Sequence, residues 1–122
     1  MSERCRYVAP ASGIDDRLEA RFCFRDLEAT DTGLAYQRIK PGQRALTHRH
    51  ENAEEVYVVI AGSGRVKLGD EVHEIAHLDA IRVAPTVVRA FEAGPDGLEL
   101  LAFGPRHEGD GEIVKDDVWG DA

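Results

Sequence analysis

Short runs rich in β-branched and aromatic residues recur along this chain between Gly, Pro and Asp breakers, a rhythm that constrains it to an all-β fold. The runs are Leu34 to Ile39, Leu46 to His50, Glu55 to Ala61, Gly64 to Leu68, Glu71 to Ile75, Ala80 to Val83, Val87 to Ala93 and Leu98 to Phe103. Regular short strands of this kind predict a sandwich or a barrel. Pro41-Gly42 is expected to end one strand and Gly62-Ser63-Gly64 to separate two. Gly69-Asp70 is expected to form a tight hairpin, and Gly94-Pro95-Asp96-Gly97 to close another. Only Ile14 to Ala20 has helical character, with Asp15 and Asp16 as acids suited to a helix N-terminus. The first thirty or so residues read as a lead-in that pairs with the β unit or with a partner subunit.

A chain of 122 residues is about one domain, and at that size folding buries roughly two-thirds of the surface of the unfolded chain, enough for a core without disulfides. Cys5 and Cys23 lie together near the N-terminus, unlike a disulfide lattice, and no neighbouring His or base motif supports a nucleophilic role. Nothing N-terminal reads as a signal peptide, so a reducing, cytoplasmic setting is expected. No apolar run approaches the roughly 18 residues needed to cross a bilayer. The net charge of −8, from 23 acidic against 15 basic residues, and the lack of a basic tract argue against a nucleic-acid partner. Some of the acidic excess lies in Glu108, Asp110, Glu112, Asp116, Asp117 and Asp121, a stretch with interspersed glycines that reads as a solvated tail. Trp119 is expected to anchor that tail on the body or on a second subunit.

Side chains alternate along a strand. If Glu55 looks into the interior, Tyr57, Val59 and Ala61 do too, and Val56, Val58 and Ile60 lie outside. Both faces of this strand are apolar and both need cover, which predicts a homodimer.

Alternation also places His48 and His50 on one face of the strand that precedes Glu55, and two imidazoles with a carboxylate form a facial 2-His-1-carboxylate or an open Zn site. Gly42, His48, His50, Glu55 and Gly62 fill the pattern G-x5-H-x-H-x4-E-x6-G, which resembles the first motif of the cupin superfamily at every fixed position. The resemblance covers Gly33 to Gly104 and implies a jelly-roll barrel, often dimeric, with one divalent metal (Zn, Fe, Mn or Ni) on the residues matching His48, His50 and Glu55. It divides the chain into a lead-in (1–32), a cupin barrel (33–104) and an acidic tail (105–122). Spacing assigns the ligand role to Glu55 and leaves the adjacent Glu54 outside or in the loop.

The second motif departs from the family pattern G-D-x4-P-x-G-x2-H-x3-N. Asp79 and the adjacent Pro85 survive, but Leu78 replaces the first Gly, Ala84 the motif Pro, Thr86 the second Gly, Ala93 the Asn, and Arg89 the ligand His. A guanidinium stays protonated and has no lone pair to offer, so Arg89 cannot take the place of an imidazole. Three consequences compete. The trio holds metal while Arg89 turns to the mouth to clamp an anion; or Arg89 pairs with Glu55 where the metal would sit, leaving a metal-free pocket; or His107 completes the shell.

Tyr57 and Phe91 read as barrel packing, yet an inward aromatic would also touch a small ligand, so with Arg89 they form the candidate ligand-binding set. His73 and His77 belong on an exposed hairpin and Arg82 on an outward strand face. Two functional classes follow. One is a small metal-dependent enzyme, an oxygenase, isomerase or lyase, acting on a small polar metabolite. The other is a metal-free, non-catalytic binder of a small anion through Arg89. No catalytic base beyond the trio can be assigned.

Overall fold

The computed structural model describes residues 5–14 and 17–120. Its elements in chain order are β1 (Gly13–Ile14), β2 (Leu18–Arg21), α1 (Cys23–Asp26), β3 (Thr32–Ile39), β4 (Arg44–His50), β5 (Glu55–Leu68), β6 (Glu71–Ala76), β7 (Ala80–Val83), β8 (Arg89–Pro105) and β9 (Gly111–Ile113). All the strand pairs are antiparallel, and they form one curled sheet of jelly-roll type in the order β1-β2-β3-β8-β4-β9, with β5 joining β8, β6 and β7.

The expected helix over Ile14 to Ala20 does not form: Ile14 ends β1 and Leu18 to Ala20 belong to β2, while Asp15 and Asp16 lie outside the described residues. Cross-strand pairing prevails over local preference, because β2 runs beside β3 from Leu18↔Ile39 to Arg21↔Tyr36. Buried Glu19 secures this edge by accepting from Ser12 and Arg21 and pairing with Arg38. The helical turn sits later, at α1.

Two of the four expected breaks are bends within long strands. Gly62-Ser63-Gly64 does not interrupt β5, which is continuous for 14 residues, and Gly94-Pro95-Asp96-Gly97 does not close a hairpin, since β8 runs for 17. These segments face each other: the partner of Gly62 is Leu98 but that of Gly64 is Ala93, so the residues between bulge out of β8. Gly62 has φ +74, and a Cβ built there would lie 2.0 Å from the Gly97 carbonyl oxygen, so no other residue fits. Gly69-Asp70 forms the expected hairpin, pairing Leu68 with Glu71, with Gly69 at φ +59 as the first position of a type II′ turn requires.

The core fills the curl. Ile39, Tyr57, Val59, Val66, Val83, Phe91, Leu98 and Leu100 are fully or almost fully buried. Along β5, Tyr57 and Val59 point in, while Val56, Val58 and Ile60 remain half-buried on the outer face. The C-terminal segment is not frayed. β9 adds to the edge of β4, and the Trp119 ring lies under the guanidiniums of Arg44 (4.9 Å) and Arg65 (5.0 Å), anchored on the body of its own chain. No described helix is long and apolar enough to cross a membrane.

Candidate metal centre

β4 delivers the two histidines. His48 and His50 share one face and their rings meet edge to face, centroids 5.1 Å apart. A short connection through buried Ala53 leads to Glu55 at the start of β5. The Nε2 atoms of both histidines lie 3.5 Å from the same oxygen, Glu55 Oε1, and the three ligand atoms fall within 4.8 Å of one another. This is the one group of three or more possible ligands among the described residues.

Two further groups converge on that oxygen. Tyr57, one step along the inward face of β5, donates its hydroxyl to Glu55 Oε1 and lies 3.3 Å from His48 Nε2. Arg89 comes from β8, where it is the cross-strand partner of His48, and directly opposed residues project to the same face. Its side chain is fully buried with Nη1 3.8 Å from Glu55 Oε1. Nη2 donates to the Ala84 carbonyl at 3.4 Å, whereas Nε and Nη1 make no hydrogen bond.

Burial works to raise the pKa of Glu55, but its polar contacts with His48, His50 and Tyr57 overcome it and hold the carboxyl far below the usual range. Glu55 in turn raises the pKa of His50, against burial and the Arg89 charge. Tyr57 is pushed well above an ordinary phenol by burial and by the Glu55 charge. The hub is therefore an ionised carboxylate beside two imidazoles, a phenol and a guanidinium.

The trio opens onto a cleft of about 1310 Å³, walled also by Phe22, Phe24 and Trp119. Arg89, Tyr57 and Phe91 do not line it; they sit behind the trio, with the Tyr57 and Phe91 rings packed edge to face at 4.9 Å. Arg89 is thus beside Glu55 rather than at the mouth. Glu54 is exposed, as are His73, His77 and Arg82. His107 is exposed and stands outside the ligand group.

One residue of the site carried no signal in the sequence. Asp110, expected in a solvated tail, is instead buried and bonds the connection between the ligands: Oδ1 accepts from the Asn52 amide (2.8 Å) and Asn52 Nδ2 (3.0 Å), and Oδ2 from the Ala53 amide (3.0 Å). Those donors outweigh burial and lower its pKa. Its Oδ2 also lies 3.3 Å from His50 Nδ1.

Residues 35–103, more than half of the chain, match the model of the cupin domain. The chain is a cupin. Its fold is similar to that of a cupin-2 domain protein from Rhodospirillum rubrum, with a TM-score of 0.73 and 17% identity over 91% of this chain and 80% of the other. Oxalate decarboxylase from Bacillus subtilis gives a TM-score of 0.75 at 22% identity over 88% of this cupin, which spans only 30% of that enzyme. KdgF from Halomonas sp. gives 0.65 at 19% identity, covering 79% of this cupin and 86% of that protein. In sequence, the cupin is 29% identical over 85 residues to the uncharacterized protein MJ1618 of Methanocaldococcus jannaschii, which covers 67% of this chain and 68% of that one. At these identities the structural likeness is one of fold.

The donor set of this cupin fits a divalent ion. Bonds of about 2.1 Å at tetrahedral angles would hold ligand atoms about 3.4 Å apart, and the two histidine-to-glutamate separations are 3.5 Å. His50 Nε2, aimed into the group, is buried without a hydrogen bond.

Proposed function

We propose that this cupin is a small metal-dependent enzyme, an oxygenase, isomerase or lyase, acting on a small polar metabolite in the cleft. The convergence of His48 Nε2, His50 Nε2 and Glu55 Oε1 on the cleft wall carries the reading. Three protein ligands leave positions for substrate or water, and the ion, Zn, Fe, Mn or Ni, would polarise a bound oxygen or activate water or O₂. Within the same reading, Tyr57 helps to hold Glu55 ionised from behind, Arg89 stands 3.8 Å from that carboxylate, and Phe91 fixes the Tyr57 ring. The resemblance in fold to a decarboxylase is consistent with such chemistry and does not select it.

A second reading has its own support. Arg89 Nη1 stands 3.8 Å from Glu55, and a guanidinium this close to a dication opposes its binding. On that reading the barrel is a metal-free binder of a small anion.

Elemental analysis separates the two. Protein purified without a histidine tag is expected to carry about one equivalent of metal, lost in the His48→Ala, His50→Ala variant; no metal after supplementation would sink the enzyme reading. Arg89→His is expected to raise metal affinity, as the removal of an opposing charge requires, and unchanged affinity would count against any competition between Arg89 and the ion.

We also propose that the cupin forms a homodimer through the outer face of β5 and β8, where Val56 pairs with Phe103 and Val58 with Leu101 and none of the four is fully covered.

A further inference from the structure

We propose that Asp110, which lies outside the stretch matched to the family, is a positioning residue for His50: it holds the imidazole proton on Nδ1 and so leaves Nε2 as the bare donor that faces Glu55. The proposal rests on the metal-binding reading above.

His50 stands between two carboxylates. Its Nε2 is 3.5 Å from Glu55 Oε1 and its Nδ1 3.3 Å from Asp110 Oδ2. A neutral imidazole has one proton, and the partner of one nitrogen decides the state of the other. A metal needs the lone pair of Nε2, so the proton has to be on Nδ1, where an ionised carboxylate can only accept it.

Asp110 is built for this task. Three donors, the amides of Asn52 and Ala53 and the Asn52 side chain, fix its two oxygens, and its own carbonyl accepts the Glu51 amide at 3.1 Å. The same residue therefore fixes the imidazole and the connection that leads on to Glu55. β9 begins at the next residue, with Gly111 paired to His50. Neither ring nitrogen makes a hydrogen bond to another group, so no rival acceptor competes with Asp110 for the Nδ1 proton. Gly111 lies directly against the ring: a Cβ there would stand 3.5 Å from His50 Cε1.

Long-range ¹H–¹⁵N correlation of the imidazoles, recorded on metal-free protein at a pH where they are neutral, reads the tautomer directly. Wild-type His50 is expected to carry its proton on Nδ1. In Asp110→Asn, the amide placed beside Nδ1 donates instead of accepting, while Oδ1 keeps its bonds to Asn52, so the proton should move to Nε2. Zn²⁺ affinity is expected to fall roughly 10–100-fold in this variant and to recover partially in Asp110→Glu. An Nε2 proton in the wild type overturns the proposal without any variant having to fold, and so does equal Zn²⁺ affinity in wild type and Asp110→Asn. A wild type that takes up no Zn²⁺ removes the metal reading, and the tautomer then still decides whether Asp110 positions His50.

Discussion

Leu78 and Thr86 carry side chains where the backbone is left-handed, at φ +72 and +71. They are the two positions where the second cupin motif has glycine and this chain does not, so the turn geometry persists although the residues suited to it are gone. A left-handed conformation costs an ordinary residue about 1–2 kcal/mol, and a β-branched one is a sharper outlier. Thr86 is held there by its backbone: its amide bonds the His50 carbonyl at 2.6 Å, tying the loop before Arg89 to the ligand strand. Thr86→Gly is therefore expected to raise stability to urea by about 1 kcal/mol and Leu78→Gly by somewhat less, once the entropy of glycine in the unfolded chain is subtracted. Gly62→Ala runs the other way, with a loss of about 2–4 kcal/mol from strain and from the clash with the Gly97 carbonyl. Chemical denaturation of the three variants checks sign and order together. At this scale the sequence was legible where residue type and spacing agree, as in His48, His50 and Glu55. Asp110 was not, because nothing local sets it apart from the other acids near the C-terminus and its bonds reach across 58 residues to Asn52.

Among the elements, β5 and β8 show how far turn chemistry can be read. The glycines were legible as breaks in the pattern, but whether a break ends a strand or bends it depends on what lies opposite, and each of these two segments lies opposite the other. The C-terminal segment presents the converse case, a polar stretch held by a few strong contacts. Glu92 on β8 accepts from Arg44 Nε (2.7 Å) and Arg65 Nε (2.8 Å), and both guanidiniums lie against Trp119. Arg65 first, and Arg44 after it, overcome burial and lower the Glu92 pKa below its ordinary value of 4.5. Since the folded value is the lower one, the unfolded chain takes up this proton first. The stabilisation is complete above about pH 4.5 and drains away as pH falls through and below that value. Trp119 is the sole tryptophan, so its fluorescence is expected to report a transition below pH 4.5. Glu92→Gln should show the acid-form spectrum already at neutral pH; superimposable titrations would count against Glu92 holding the two arginines on Trp119.

For the whole molecule, the open question in the shape is the outer face of β5 and β8. An apolar face that stays half-covered in one chain invites a second copy, and Phe103 keeps 37% of its surface exposed there. Light scattering at micromolar concentration is expected to give twice the chain mass, and Val58→Asp to return the monomer; a monomeric wild type would refute the proposed pairing. The barrel itself was legible because its strands announce themselves one by one. Their order in the sheet was not, since β8 serves β3, β4 and β5 at once and no local pattern encodes three partners. The same long reach imposes a timetable on the candidate metal centre. His48, His50 and Glu55 leave the ribosome early and within a few residues of one another, whereas Asp110 follows 58 residues after Asn52. During synthesis the nascent chain thus presents two imidazoles and a carboxylate before the residue proposed to orient one of them exists, and an ion bound in that interval would meet a site whose geometry is still unset.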